Sequence, residues 1–235
     1  MSGWVDFLDS SHPIYVSDRH RDVHYRLIAH DIHAYVPSPA ATVLDYGCGD
    51  ALHAADIAAP AGRLLLCEAG PHVRAAVAKR FAGHPQITVI APDEVGRLHD
   101  HSLDLIVMHS VAQYLTPDEL AGLLSLFRRL LKPDGLFVVG DVIPPNVSAP
   151  TDALALLRFG AREGFLAAAL FGLVRTVFSS YWRLRSTLGL ARYDAGAITQ
   201  RLAAAGLSAQ RAPRNIGHNP ARMTFLARPK SFNPL

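Results

Sequence analysis

The sequence predicts an α/β fold with a mostly parallel sheet covered by helices on both faces. Three observations predict it. Short apolar runs alternate with helix-length segments from Thr42 to Val139, a Gly-x-Gly turn follows the first run, and the second run closes on Glu68, 19 positions after Gly49. Strand and helix periods in alternation call for right-handed crossovers, and hence for parallel strands buried on both sides.

The front segment, Arg19 to Val36, carries Val23, Leu27, Ile28, Ile32, Tyr35 and Val36 close to a helical stripe. Residues 1–40 are therefore expected to form a helical cap. Strands follow at Thr42–Tyr46, Arg63–Glu68, Ile87–Ile90 and Leu103–Met108, with helices at His53–Ala58 and Pro71–Phe81. Thr116-Pro117-Asp118-Glu119 is a helix start: threonine caps, proline takes the first helical position and glutamate reaches back. Leu120, Leu123, Leu124, Phe127, Leu130 and Leu131 form the apolar face of that helix. Lys132-Pro133-Asp134-Gly135 is expected to end it, with Leu136–Val139 as the fifth strand, finishing near Asp141. Asp194 caps a last helix to about Ala205, Gly206 ends it, and Leu207–Ala212 and Met223–Ala227 supply the last two strands. The core thus comprises 41–143 and 194–235. Residues 144–193, rich in Leu, Phe, Ala and Arg, are too long for a simple connection and are expected to form a helical substrate cap.

Half of the 235 residues are hydrophobic, enough for a sizeable core. The first residues lack the basic-then-apolar order of a secretion signal, and the two cysteines, Cys48 within the glycine turn and Cys67 at the close of the second run, are small apolar fillers. A reducing cytoplasm is the expected compartment. The apolar run Gly164–Val174 falls well short of the ~20 residues needed to span a bilayer. Charge is uneven: from Thr151 onward there are 12 basic and 3 acidic residues, against 11 basic and 17 acidic before it. Such a bias suits an anionic partner or a solvated arginine-rich face.

The run Val43-Leu44-Asp45-Tyr46-Gly47-Cys48-Gly49-Asp50, answered by Glu68, resembles the class I S-adenosylmethionine-dependent methyltransferases over residues 42–141. The resemblance implies a seven-stranded Rossmann-like sheet of order 3-2-1-4-5-7-6 with its last strand antiparallel. It implies S-adenosyl-L-methionine as cofactor and S-adenosyl-L-homocysteine as product. Asp45 would help hold the methionine amino group, the turn Gly47-Cys48-Gly49 would pass under the methionine and ribose, and Glu68, followed by Ala69, would accept both ribose hydroxyls. Asp93 would meet the adenine amino group, with Glu94 as the alternative register. The family's frequent third glycine is Ala51 here. A dinucleotide-binding oxidoreductase shares the layout, but its fingerprint needs a glycine where this chain has Leu52. A cofactor-binding regulatory or partner-activated subunit without turnover is a further alternative.

His109 ends the fourth strand, where the family places active-site groups. It is the candidate general base, and a loop hydrogen bond or a pocket-lining role is the alternative. Gln113 and Tyr114 follow as candidates to orient an acceptor. The His109-Ser110-Val111-Ala112 loop lacks the Asp/Asn-Pro-Pro-aromatic motif of many amino-methylating enzymes, so no DNA partner is expected. His20 and His24 lie one helical turn apart, yet no third ligand at diagnostic spacing accompanies them, and no metal is expected. Tyr15, Arg19 and His24 are candidates to close over cofactor or substrate. In the insertion, Arg158, Arg162, Arg175, Arg183 and Arg185 alternate with Phe159, Phe165, Phe171, Phe178, Tyr181 and Trp182. This suits an apolar pocket with a cationic mouth for a small or lipid-like, anionic acceptor, with Arg158 and Arg162 in contact, or reversible docking on the anionic inner face of a membrane. Methyl transfer to oxygen, or otherwise nitrogen, is the expected reaction.

Overall fold

The computed structural model describes residues 2–9, 15–177 and 189–230. Phe178, Tyr181, Trp182, Arg183 and Arg185 lie outside the described residues. Seven strands form one sheet: β1 (Thr42–Tyr46), β2 (Arg63–Cys67), β3 (Ile87–Ile90), β4 (Leu103–His109), β5 (Leu131–Val142), β6 (Leu207–Arg211) and β7 (Met223–Pro229). Their order is β3-β2-β1-β4-β5-β7-β6. β1 to β5 are mutually parallel, and β7 runs antiparallel to both β5 and β6, as the resemblance implies.

Side chains alternate across each strand, so successive residues feed opposite layers. Leu44, Tyr46, Leu65 and Cys67 join Phe127, Phe137 and Phe225 on one face. Val43, Leu64, Leu66 and Val107 join Ile32 and Ile57 on the other. The first layer is covered by α6 (Pro117–Leu130) and α9 (Ala195–Ala204), the second by α2 (Asp18–His33) and α3 (Ala54–Ala58), with Val77 of α4 (Pro71–Arg80) in the same cluster. Two-sided burial explains why the central strands read as unbroken apolar runs.

The local signals act as their chemistry requires. Thr116 Oγ1 accepts the Glu119 amide at 3.2 Å while Glu119 Oε2 accepts the Thr116 amide at 2.8 Å, a complete capping box on α6. Asp194 Oδ1 accepts the Ala197 amide at 2.7 Å and starts α9. One boundary differs from expectation. β5 begins at Leu131, because Leu131 pairs with Leu103 before the register shifts between Leu103 and Leu105. Lys132 Nζ holds both carboxylate oxygens of Asp104 at 2.8 Å, so Lys132-Pro133-Asp134-Gly135 lies in the strand.

The insertion contributes α7 (Ala149–Glu163) and α8 (Leu166–Val177), joined at Gly164, whose φ of +81° suits the reversal. Phe159, Phe165 and Ala169 bury against Val23 of α2. Arg26 reaches the Glu163 carboxylate at 3.2 Å and Arg19 Nε donates to the Glu163 carbonyl at 3.0 Å. The insertion is thus seated on α2. The remaining helices are α1 (Ser2–Leu8) and the short α5 (Pro92–Val95). No helix among the described residues is long and apolar enough to cross a membrane.

Candidate active site

The site lies beyond the carboxyl ends of β1, β2, β4 and β5, where the strand order reverses between β1 and β4 and an open α/β sheet leaves a crevice. Gly47 and Gly49 leave β1 with φ of +79° and +57°. A β-carbon on Gly47 would collide with the Val111 side chain, and one on Gly49 with the Tyr25 hydroxyl, so glycine is required twice over. The Gly47 and Cys48 amides both donate to the Cys67 carbonyl, at 2.8 and 3.1 Å, and Tyr25 Oη accepts the Asp50 amide at 2.8 Å. Ala51 keeps the left-handed conformation at φ +47°, so the geometry of the family's third glycine survives without the residue.

Glu68 follows β2. Its Oε2 accepts the Gly49 amide at 2.9 Å and its Oε1 the Gly70 amide at 2.8 Å, which leaves lone pairs on both oxygens. Asp45 is buried and makes no hydrogen bond or ion pair among the described residues. Burial, with Glu68 nearby, pushes its carboxyl up to about 7. Asp93 is exposed and paired outward with Arg97 at 2.8 Å, while Glu94 accepts the Ala91 amide at 2.7 Å. Both acids are thereby engaged locally, and it is Pro92 that lines the cleft.

A cavity of about 880 Å³ extends from Glu68, Ala69 and Pro92 past the glycine turn to His109, Asp141 and Arg222. Trp4 of α1 stands over it, its ring 4.8 Å from that of Tyr114. Asp9 fastens α1 down: its Oδ1 accepts the His72 and Val73 amides at 2.8 and 3.0 Å, capping α4. Gln113 lines the cavity at 6% exposure, and its Oε1 is buried without a hydrogen-bond partner among the described residues.

The far end is a buried polar network. Ser110 and Asp141, which follow β4 and lie near the end of β5, are both left-handed, with φ of +57° and +62°. Ser110 Oγ donates to Asp141 Oδ2 at 2.7 Å. Arg222 bridges Asp141 at 2.6 Å and Asp152 of α7 at 3.1 Å, so the insertion is tied to the strand ends through one guanidinium. Burial pushes the Asp141 carboxyl up, but Arg222, His109 and Ser110 outweigh it and hold it below the usual carboxylate range. Non-glycine residues in strained backbone are retained where surrounding bonds over-determine them.

His109 Nε2 lies 3.3 Å from the Ile216 carbonyl, a contact it can make only as a donor. That fixes the tautomer with Nδ1 as the acceptor. Burial pulls the His109 pKa below its ordinary value, with Asp141 partly opposing. His24, His20 and His218 gather beside it, with ring centroids 6.0–6.5 Å apart. Burial lowers His20 and His218 to about 4 and His24 well below 6.5, so the imidazoles are neutral. No three His, Cys, Asp or Glu among the described residues could hold a metal ion.

Residues 44–139 match the family model of a methyltransferase domain. From β1 into β5 the chain is thus similar to a methyltransferase domain. Solved structures share its fold. Magnesium protoporphyrin IX methyltransferase of Synechocystis aligns with 14% identity over 97% of this chain and 93% of its own, at a TM-score of 0.61. A putative S-adenosyl-L-methionine-dependent methyltransferase of Methanococcus maripaludis aligns with 15% identity over 91% and 89%, at 0.62. A putative methyltransferase solved with a methyltransferase activator of Haloferax volcanii aligns with 15% identity over 89% and 92%, at 0.59. No curated protein matches the chain in sequence.

Around the cleft the structure gathers Gly47, Gly49, Glu68, Ala69, His109, Gln113, Tyr114, Tyr15 and His24, while Asp45 and Cys48 line a smaller adjoining pocket that shares Gly47, His24 and His109 with it. Asp93, Arg158 and Arg162 do not line it, and Arg19 is spent on Glu163. Arg175 lies at the cleft and is itself exposed. The sequence reading missed Asp141, Ser110, Arg222, His218 and Tyr25. Only Asp141 carried a local signal, an acid at the expected end of β5. The others meet through contacts spanning much of the chain.

Proposed function

We propose that the protein is a working S-adenosylmethionine-dependent methyltransferase whose acceptor is an uncharged, hydroxyl-bearing small or lipid-like molecule. The observation that carries the reading is continuity: one cavity joins the glycine turn and Glu68 to His109. Nicotinamide chemistry is less well served, because Leu52 stands where a dinucleotide fingerprint needs glycine.

The residues fit the cofactor on physical grounds. Asp45 is a buried acid without a hydrogen-bond or ionic partner among the described residues, suited to an ammonium group, and Glu68 keeps acceptor capacity for two ribose hydroxyls. The glycine turn admits a ligand where a β-carbon would not fit. When bound, S-adenosylmethionine supplies a methyl group already activated on a sulfonium. The protein's part is to align the acceptor in line with the S–CH₃ bond and exclude water.

His109 Nδ1 would take the acceptor's hydroxyl proton during the transfer and become an imidazolium. Neutral at rest, its tautomer set by Ile216, His109 is ready for that step. Gln113 Oε1 offers an unspent acceptor for a second polar group of the substrate. Arg222 is offset by two acids, and Arg158 and Arg162 lie away from the cavity; of the insertion's described arginines Arg175 alone lines it, itself exposed, so the acceptor proposed is uncharged rather than the anionic one expected from those arginines.

Titration calorimetry with S-adenosylhomocysteine beside NAD tests the cofactor. Binding of the first alone supports the reading, whereas binding of NAD or of neither overturns it. A panel of hydroxylated aromatic and isoprenoid acceptors with methyl-labelled cofactor then tests turnover. Tight cofactor binding with no acceptor-dependent consumption in any cell extract would turn the protein into a cofactor-binding subunit.

A further inference from the structure

Every exposed large hydrophobic side chain among the described residues lies on the two insertion helices: Leu154 on α7, and Leu166, Leu170, Phe171 and Val174 on α8. Phe171 is 71% exposed and Val174 64%. Positions 166, 170 and 174 fall on one stripe of α8, with Phe171 beside it. The opposite side of α8 is the one that packs, through Ala169 in the insertion core and Gly172 against Val16. Exposure is therefore confined to one face of a seated helix.

The charge around this face has one sign. Arg158, Arg162 and Arg175 are exposed beside it, and neither Arg158 nor Arg175 forms an ion pair among the described residues. Glu163, the acid at the end of α7, is already shared by Arg26 and Arg162. From Gly164 to Tyr193 the sequence holds four arginines and no acid. An apolar stripe with exposed guanidinium groups near it, two of them without an ion pair among the described residues, is complementary to a bilayer whose surface is anionic and whose interior accepts side chains.

We propose that the exposed face of α8 docks the protein on anionic lipid membranes, with Phe171, Leu170 and Val174 inserted at the headgroup boundary and Arg158 and Arg162 on lipid phosphates. Arg175 belongs both to this helix and to the cleft, so docking sets the cavity mouth beside the lipid. The proposal is independent of the methyl-transfer reading.

Vesicle sedimentation with the full chain tests it, comparing mixed phosphatidylcholine–phosphatidylserine vesicles with pure phosphatidylcholine. Binding to the mixed vesicles, loss with added salt and little binding to pure phosphatidylcholine are expected. Arg158→Gln with Arg162→Gln should weaken binding about 25-fold, from about 1 kcal/mol per charge. Leu170→Asp with Phe171→Asp should weaken it at least about tenfold without lowering the melting temperature, because both side chains are exposed. If that variant does not fold, Phe171→Ser reads the same face with a milder change. No binding to mixed vesicles, or unaltered binding by folded variants, overturns the proposal. So does a dimer in solution that Phe171→Ser dissociates in a protein that ignores vesicles, which would make the face a self-association surface.

Discussion

Glu68 Oε2 accepts the Gly49 amide at 2.9 Å, so the acid suited to ribose also clamps the turn that must pass beneath it. The proposed ribose contact and the shape of the turn thus rest on one carboxylate. Glu68→Ala should therefore weaken S-adenosylhomocysteine binding by about 2–4 kcal/mol, from the loss of two charge-assisted hydrogen bonds and a loosened turn. Calorimetry checks this, and an unchanged affinity would place the ribose contact elsewhere.

Asp45 makes cofactor binding depend on protons. Its folded pKa of about 7 lies above the ordinary 3.8, so the native state keeps a proton that the unfolded chain gives up between those values. Stability should fall as pH rises through that window, by about 4 kcal/mol at the outside, and Asp45→Asn should remove the trend. An ammonium group placed against Asp45 favours the carboxylate. Binding at pH 7 should thus release protons, read as a calorimetric enthalpy that varies with the buffer's ionisation enthalpy, and should not do so in Asp45→Asn.

His109 is neutral above its lowered pKa, so catalysis by it should be flat through neutral pH and decline only on the acid side of 6.5. His109→Ala should reduce kcat by about 10²–10⁴-fold with little change in S-adenosylhomocysteine affinity. A variant with normal kcat and an unaltered pH profile would leave His109 as a pocket-lining group.

Arg222 joins Asp141 to Asp152 inside the protein. Arg222→Leu would leave the buried Asp141 carboxylate without its cation and take a cation from the half-buried Asp152, and a loss of about 3–5 kcal/mol in unfolding free energy is expected. Denaturant titration at pH 7 measures it. Partial recovery in Arg222→Leu/Asp152→Asn would identify uncompensated charge as the cause.

His20 and His218 are buried neutral, with folded pKa values of about 4. The unfolded chain takes up protons from about pH 6.5 downward, before the folded one does, so stability should be full above that point and drain away as pH falls toward 4. His20→Gln with His218→Gln should shallow this acid limb in melting curves. An identical limb would assign acid sensitivity to other groups.

Much of the fold was legible because its signals are local. Two-sided strands give apolar runs, Thr116 and Asp194 cap helices within three residues, and the glycine turn with Glu68 is written at the ends of adjacent strands. The start of β5 was not legible, since pairing with Leu103 overrides the turn chemistry of Lys132-Pro133-Asp134-Gly135. Asp93 does not line the cleft for a similar reason: on a one-turn helix, a partner four residues on, Arg97, is as available as a ligand.

Chain order alone was sufficient to bring the glycine turn beside Glu68, because a strand, its turn and the next strand's last residue become neighbours in any parallel sheet of this order. The far end of the cavity was settled by packing. His24, His109, Asp141, His218 and Arg222 meet from four separate segments. Periodicity tells which residues share a helix face but not which face turns inward. The burial of Phe159 and Phe165 against α2 turned Arg158 and Arg162 away from the cavity and left Phe171 in solvent.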